Sequence, residues 1–118
     1  MTDDARRIGI VGPCSSGKST LARALRAQGY RVKEIMQEHC AAPMMWQRIS
    51  NPDLLVYLDV SMDVAAQREG LKQPSSWWVE EREVRLVHAR AHCDLYVDTT
   101  TLAPEEVLAQ VEQFLSST

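Results

Sequence analysis

Polar and apolar positions alternate in short blocks along this chain, and the period of each block predicts its structure. Residues 8–11 form an apolar, β-branched run that ends at Gly12, the mark of a buried strand. From Gly17 the period lengthens. Leu21 and Leu25 share one helical face, Arg23 and Arg26 point away, and Gly29 stands where a helix C-terminal glycine belongs. Residues 30–36 mix Val32, Ile35 and Met36 with Arg31, Lys33 and Glu34, a half-polar pattern suited to an edge strand. Pro43 opens a short helix carrying Met44, Met45, Trp46 and Ile49, which Asn51-Pro52 stops; core filling is the default role of its large side chains.

Residues 54–58 are apolar on both faces, as a central parallel strand requires. Ser61 caps a helix running from residue 62 to about 69, closed by Gly70. Residues 72–76, with Pro74, read as a mobile loop inside one domain. A charged helix is expected from about residue 77 to 92, with Glu81 and Arg85 at the favourable i,i+4 spacing. Leu95-Tyr96-Val97 is a fourth short strand. Pro104, followed by Val107, Leu108, Val111 and Leu115, begins an amphipathic final helix. This alternation predicts an α/β fold: three layers, α/β/α, around a mostly parallel sheet of about four strands in the order 2-1-3-4.

Composition narrows the class without changing the fold. A chain of 118 residues has room for one domain, residues 1–118, with a core that needs no metal or disulfide to hold it. Its 45% hydrophobic and 25% charged residues are those of an ordinary globular protein, which argues against disorder. A net charge of −3 gives no reason to expect a nucleic-acid partner. The longest aliphatic and aromatic run, residues 54–58, is far too short to span a bilayer. The acidic start, Met1-Thr2-Asp3-Asp4, leads into a strand and does not read as a signal peptide. Cys14, Cys40 and Cys93 are odd in number and form no CxxC pair, which fits reduced thiols in a cytoplasm.

The chemistry is concentrated in Gly12-Pro13-Cys14-Ser15-Ser16-Gly17-Lys18-Ser19, which satisfies the phosphate-loop pattern G-x-x-x-x-G-K-[ST] between a predicted strand and a predicted helix. Gly12 and Gly17 allow backbone angles other residues resist, so that successive N–H groups turn inward around an anion. The helix start adds its positive end at the same point. Lys18 would reach the β- and γ-phosphate oxygens, the Ser19 hydroxyl would bind Mg²⁺, and Thr20 would touch the α-phosphate. A nucleoside triphosphate is therefore the expected ligand. Glu38, after the second strand, would face the γ-phosphate as a base for an acceptor hydroxyl or as a water-mediated metal ligand; an exposed loop glutamate is the equal alternative. Asp59, at the end of an apolar strand, is the rival metal-side acid, although a helix-entry role beside Ser61 explains it nearly as well.

Three segments together resemble the P-loop small-molecule kinases, the group that includes nucleoside, nucleotide, shikimate and gluconate kinases. The first is the phosphate loop. The second is Pro52-Asp53-Leu54-Leu55-Val56-Tyr57-Leu58-Asp59-Val60-Ser61, running into Ala66-Gln67-Arg68, similar to the strand and helix entering the lid of thymidylate-kinase-like enzymes. The third is Asp94-Leu95-Tyr96-Val97-Asp98-Thr99-Thr100 with Pro104-Glu105-Glu106-Val107, similar to the last strand, base-contacting loop and final helix of shikimate- and cytidylate-kinase-like enzymes. The resemblance implies a P-loop NTPase-like fold, with Arg68 and the 99–102 loop, Thr100 included, flanking the base. It also implies that Arg82, Arg85 and Arg90 are lid candidates for neutralising the moving phosphoryl group; a solvated helix face is the plainer reading of each. Full-length relatives insert an acceptor-binding region, often with an Asp-Arg pair. Here only residues 30–53 lie in that place, and the chain has no Asp-Arg pair.

Other groupings carry less. His88 and His92 have a zinc-compatible spacing but no intervening glutamate after His88 and no clear third ligand. Cys14 is an oxidation-sensitive position rather than a catalytic one, since phosphoryl transfer needs no thiol. Trp77 and Trp78 cannot both face one core, so one is expected at the surface; helix packing with a partly covered neighbour is the plainer reading, and a stacking platform or a contact in a homodimer the sharper one. The functional expectation is a kinase moving the γ-phosphoryl group of ATP–Mg²⁺ to a small hydroxyl or phosphate acceptor. The alternative is a non-catalytic or weakly hydrolytic nucleotide sensor. A GTPase is disfavoured: there is no Asp-x-x-Gly, and the only asparagine, Asn51, lies outside any Asn-Lys-x-Asp motif.

Overall fold

The computed structural model describes residues 5–118, so the acidic start, residues 1–4, lies outside the described residues. Four strands, β1 (Arg7–Val11), β2 (Arg31–Glu34), β3 (Leu54–Asp59) and β4 (Leu95–Asp98), form one sheet in the order β2-β1-β3-β4. All three pairings are parallel, with Ile8 opposite both Val32 and Leu54 and with Val56 opposite Leu95. The 2-1-3-4 order and the edge position of the half-polar β2 are as its sequence predicts.

Alternation along the strands divides the core. Ile8, Ile10, Val56, Leu58 and Val97 face one side, where Leu21 and Leu25 of α1 (Lys18–Ala27) and Val107, Val111 and Leu115 of α6 (Pro104–Ser117) cover them. Val11, Leu55 and Tyr57 face the other side and meet Trp46 of α2 (Met45–Ile49) with Leu86 and Ala89. Helices therefore lie on both faces, as strands buried on both sides demand. Among the described residues, no helix is long and apolar enough to cross a membrane.

Ser61 caps α3 (Met62–Arg68), its hydroxyl accepting from the Val64 N–H at 3.2 Å. The helix expected over residues 77–92 is instead broken into α4 (Trp77–Glu80), a π-helical turn (Glu81–Arg85) and α5 (Val87–His92). The Leu86 N–H donates to the Glu81 carbonyl five residues back. Trp78, Glu81, Leu86 and Ala89 are all buried, at spacings of three, five and three, and the extra residue of the π turn lets Glu81 and Leu86 share one inward face. The predicted Glu81–Arg85 pair is accordingly not formed. Arg85 pairs with Glu80 at 3.4 Å, and Glu81 turns inward. Trp77 is the exposed member of its pair, and Met44 and Ile49 are likewise exposed, so only Trp46 of that segment fills core.

Two glycines are fixed by space. A Cβ at Gly12 would lie 2.0 Å from the Leu58 carbonyl oxygen, so the phosphate-loop segment and β3 approach as only glycine permits. At Gly9 a Cβ would meet Ile35 Cδ1 at 2.6 Å and Pro52 Cγ at 2.9 Å. Gly9→Ala should therefore lower unfolding stability by about 1–3 kcal/mol through overpacking. A urea midpoint equal to that of the parent chain would contradict this close contact.

Candidate functional site

The phosphate-loop sequence folds into a turn between β1 and α1. Ser15 has φ 63° and Gly17 φ 100°, both in the left-handed region. α1 starts without a side-chain cap and with no acidic residue in its first turn, which leaves its N-terminal N–H groups and positive dipole end without an internal anion on the helix itself. Lys18 folds back across the turn. Its ammonium donates to the Gly12 carbonyl at 2.9 Å and the Pro13 carbonyl at 3.0 Å, and it lies 2.8 Å from Glu38 Oε2. Both side chains of this ion pair are buried, at 8% and 2% exposure. Glu38, in a 3₁₀ turn (Gln37–His39), is thus not a solvated loop residue: it is the carboxylate already facing the loop lysine.

Around this pair lies a groove of about 330 Å³ lined by Cys14, Lys18, Ser19, Glu34, Glu38 and His39, among others. The Ser19 hydroxyl donates to Glu34 Oε1 at 2.6 Å. Glu34 ends β2 on the same side as Val32, the side that packs on α1, and that alternation aims it at the helix start. On the outer wall, the Ser15 hydroxyl donates to Glu69. A second cavity, about 470 Å³, opens beside the loop between Ser15, Thr20, Arg68, Thr99, Leu102 and Val107. That size falls within the usual range for small-molecule pockets.

Arg68 ties the two walls of this cavity together. Its guanidinium donates to the Ser15 carbonyl at 2.7 Å, to the Thr99 hydroxyl at 3.2 Å and to the Thr99 carbonyl at 2.7 Å. The buried Thr99 hydroxyl also sits 2.9 Å from the Ser16 carbonyl and 3.0 Å from the Asp59 carbonyl. Thr100, expected beside the base, faces elsewhere. Its hydroxyl donates to Asp98 at 2.5 Å and accepts from the Ser61 N–H at 2.9 Å, while Thr99 and Leu102 supply the cavity wall. The Thr100 hydroxyl, followed by its N–H, holds the Asp98 carboxyl below the usual carboxylate range.

Asp59 is engaged on three sides. It accepts from the Val60 N–H at 2.8 Å and from the Tyr96 hydroxyl at 2.5 Å, and Arg82 Nη2 lies 3.2 Å away in an ion pair without hydrogen-bond alignment. Burial, then the bond to Asp59 and its charge, push the Tyr96 hydroxyl up to about 12. Tyr96 stacks on Tyr57 with ring centroids 5.7 Å apart. Arg85 instead reaches the 3₁₀ turn, donating to the Glu38 carbonyl at 3.3 Å. The two arginines leave the same π turn for different partners, one at each strand end. His88 and His92 stack at 4.1 Å, and His88 Nδ1 accepts from the Trp46 indole at 3.0 Å, so this pair belongs to the packing around Trp46.

The Cys14 thiol donates to Glu81 Oε1 at 3.1 Å. Burial first, then that hydrogen bond and the charges of Glu81 and Glu38, push the thiol up to about 12, against a smaller opposing pull from Lys18. The proton is held more tightly folded than unfolded, so the resulting stabilisation is complete below about pH 9 and is lost as pH rises toward 12. Since the thiolate is the reactive form, Cys14 should be alkylated at pH 8 at least about tenfold more slowly in the folded chain than in urea. Peptide mapping after timed iodoacetamide treatment measures this; equal rates in the two states would remove the buried Cys14–Glu81 contact.

Glu34, Glu69, Glu81 and His39 were not among the residues expected at the loop. Only Glu34 left a signal, the alternation of β2; the other three arrive through tertiary packing. Comparison of the chain with protein-family models and with curated proteins returned no match.

Proposed function

We infer that the chain is an ATP-binding P-loop protein and that it works as a small-molecule kinase. The observation that carries this reading is the buried Lys18 ammonium, held on two loop carbonyls beside an uncapped helix start, with the Glu38 carboxylate 2.8 Å away. Once Glu38 is displaced, the ammonium and the uncapped helix start together suit an anion. The cavity between Arg68, Thr99 and Leu102 has the size and the mixed lining that a nucleoside needs. ATP is favoured over GTP because no guanine-reading motif is present.

ATP–Mg²⁺, when bound, supplies the transferable γ-phosphoryl group. Lys18 keeps its two carbonyl partners and turns its charge from Glu38 to phosphate oxygen. Ser19 and Glu34 are hard oxygen donors side by side and suit Mg²⁺. Asp59 is occupied by Tyr96, Val60 and Arg82, so the metal role passes to Glu34 and Asp59 positions Arg82. Glu38, released from Lys18, takes the acceptor hydroxyl's proton as the acceptor oxygen bonds the phosphoryl group and ADP leaves. Arg85, beside the Glu38 backbone, and Arg82, beside Asp59, are further cations that would answer the developing charge.

A sensor without transfer activity is the second reading. It is favoured by the small span between β2 and β3, which holds only a 3₁₀ turn and the five-residue α2. ADP release from ATP–Mg²⁺ over a panel of nucleosides, nucleotides and small hydroxyl compounds separates the two. Acceptor-stimulated release supports the kinase. Tight binding without turnover supports the sensor, and no binding removes both.

A further inference from the structure

Cys14, Glu38 and His39 come together from two segments that are distant in sequence. The sulfur, a carboxylate oxygen and a ring nitrogen all lie within 4.8 Å of one another. Glu81 borders this cluster through Cys14, its Oε1 3.1 Å from the sulfur. Cys14, His39 and Glu38 supply one thiol, one imidazole and one carboxylate, the mixed soft and hard donor set that zinc takes and that Mg²⁺ or Ca²⁺ does not.

Two further observations point to a cation. Glu38 is 1% exposed and Glu81 5% exposed, yet Glu38 Oε1 and Glu81 Oε2 have no hydrogen-bond partner among the described residues. Buried carboxylate oxygens left without partners are costly and call for an explanation. The local charge has the right sign as well. Glu38 and Glu81 outweigh Lys18, and Lys18 already holds Glu38 through the other oxygen, Oε2. A coordinated Cys14 gives up its proton to solvent and adds a second net negative charge, which a divalent ion neutralises.

We propose that Cys14, Glu38 and His39 form a three-residue zinc site at the mouth of the phosphate loop, its fourth position left to water. Tetrahedral zinc needs neighbouring ligand atoms about 3.5 Å apart, so the cluster must contract by roughly an ångström. The exposed His39 side chain is the member free to move in, and its Nε2 is already 3.9 Å from Glu38 Oε2. Zinc bound there fixes Glu38 beside Lys18, which on the kinase reading holds the loop in its closed, phosphate-free arrangement. The zinc site itself rests on these side chains alone and not on that reading.

The test uses the full chain, titrated with Co²⁺ and with Zn²⁺ in the absence of nucleotide. Co²⁺ should bind one to one and give a thiolate-to-cobalt charge-transfer band, which Cys14→Ser abolishes. Zn²⁺ affinity, read by competition with a chromogenic chelator, should fall about tenfold or more in His39→Ala, a surface change that leaves the core intact. His88→Ala/His92→Ala should change neither signal. Absence of the charge-transfer band, or unaltered Zn²⁺ affinity in both Cys14→Ser and His39→Ala, overturns the proposal. So does loss of binding in the His88/His92 double variant, which would move the metal to that histidine pair.

Discussion

A Lys18→Ala chain should bind ATP–Mg²⁺ about a hundredfold more weakly than the parent and should also be less stable. The binding loss follows from charge-assisted hydrogen bonds to phosphate oxygens, each worth about 1.5–3 kcal/mol against a factor of ten per 1.4 kcal/mol. The stability loss has a separate origin. Lys18 and Glu38 form a buried ion pair at 2.8 Å, and removing one partner strands the other charge, at a cost of about 3–5 kcal/mol. Calorimetric titration and urea unfolding read the two effects independently. Unchanged ATP affinity would remove the nucleotide reading; an unchanged unfolding midpoint would mean that the Lys18–Glu38 pair contributes nothing to the fold.

Glu38→Gln should separate binding from transfer. The amide keeps the shape of the carboxylate but cannot accept the acceptor's proton, so acceptor-stimulated ADP release should drop about 10²–10⁴-fold. Affinity for ATP should rise several-fold, because the carboxylate no longer competes with phosphate for Lys18. From sequence alone, a base at Glu38 would leave affinity untouched; the ion pair changes that expectation. Full transfer activity would show that another group is the base, and weaker ATP binding would show that Glu38 does not oppose phosphate. A double-mutant cycle with Lys18→Ala gives the coupling between the two directly.

Strand order and helix positions were legible because each rests on local periodicity. The apolar β3 can only be central, the half-polar β2 can only be an edge, and Ser61 and Pro104 mark helix starts by their own chemistry. The turn between β1 and α1 was legible for the same reason, since it is encoded within eight residues. The partners of that loop were not. Glu69 and Glu81 reach Ser15 and Cys14 across 54 and 67 residues of chain, and no period predicts such meetings. The π turn escaped for a related reason: a helical pattern presumes inward positions three or four apart, and here the inward Glu81 and Leu86 are five apart. Thr100, expected beside a base, does not line the cavity, whereas Thr99 does. The sequence identifies the loop after β4 but not which of its threonines turns toward Ser16 and which turns back to Asp98.

The three bonds of Arg68, with the Thr99 hydroxyl behind them, mean that the entropy of ordering the cavity beside Arg68 is surrendered when the chain folds and not when a ligand arrives. An incoming base and ribose would meet a mouth that is already set, and their contacts would go into affinity instead of assembly. The same lock has a mechanical side. Ser15 on the phosphate loop and Thr99 at the end of β4 belong to segments far apart in sequence, yet one guanidinium joins them. Displacement of either must pull on the other, so on the nucleotide reading a strain begun at the phosphates would be felt at the base.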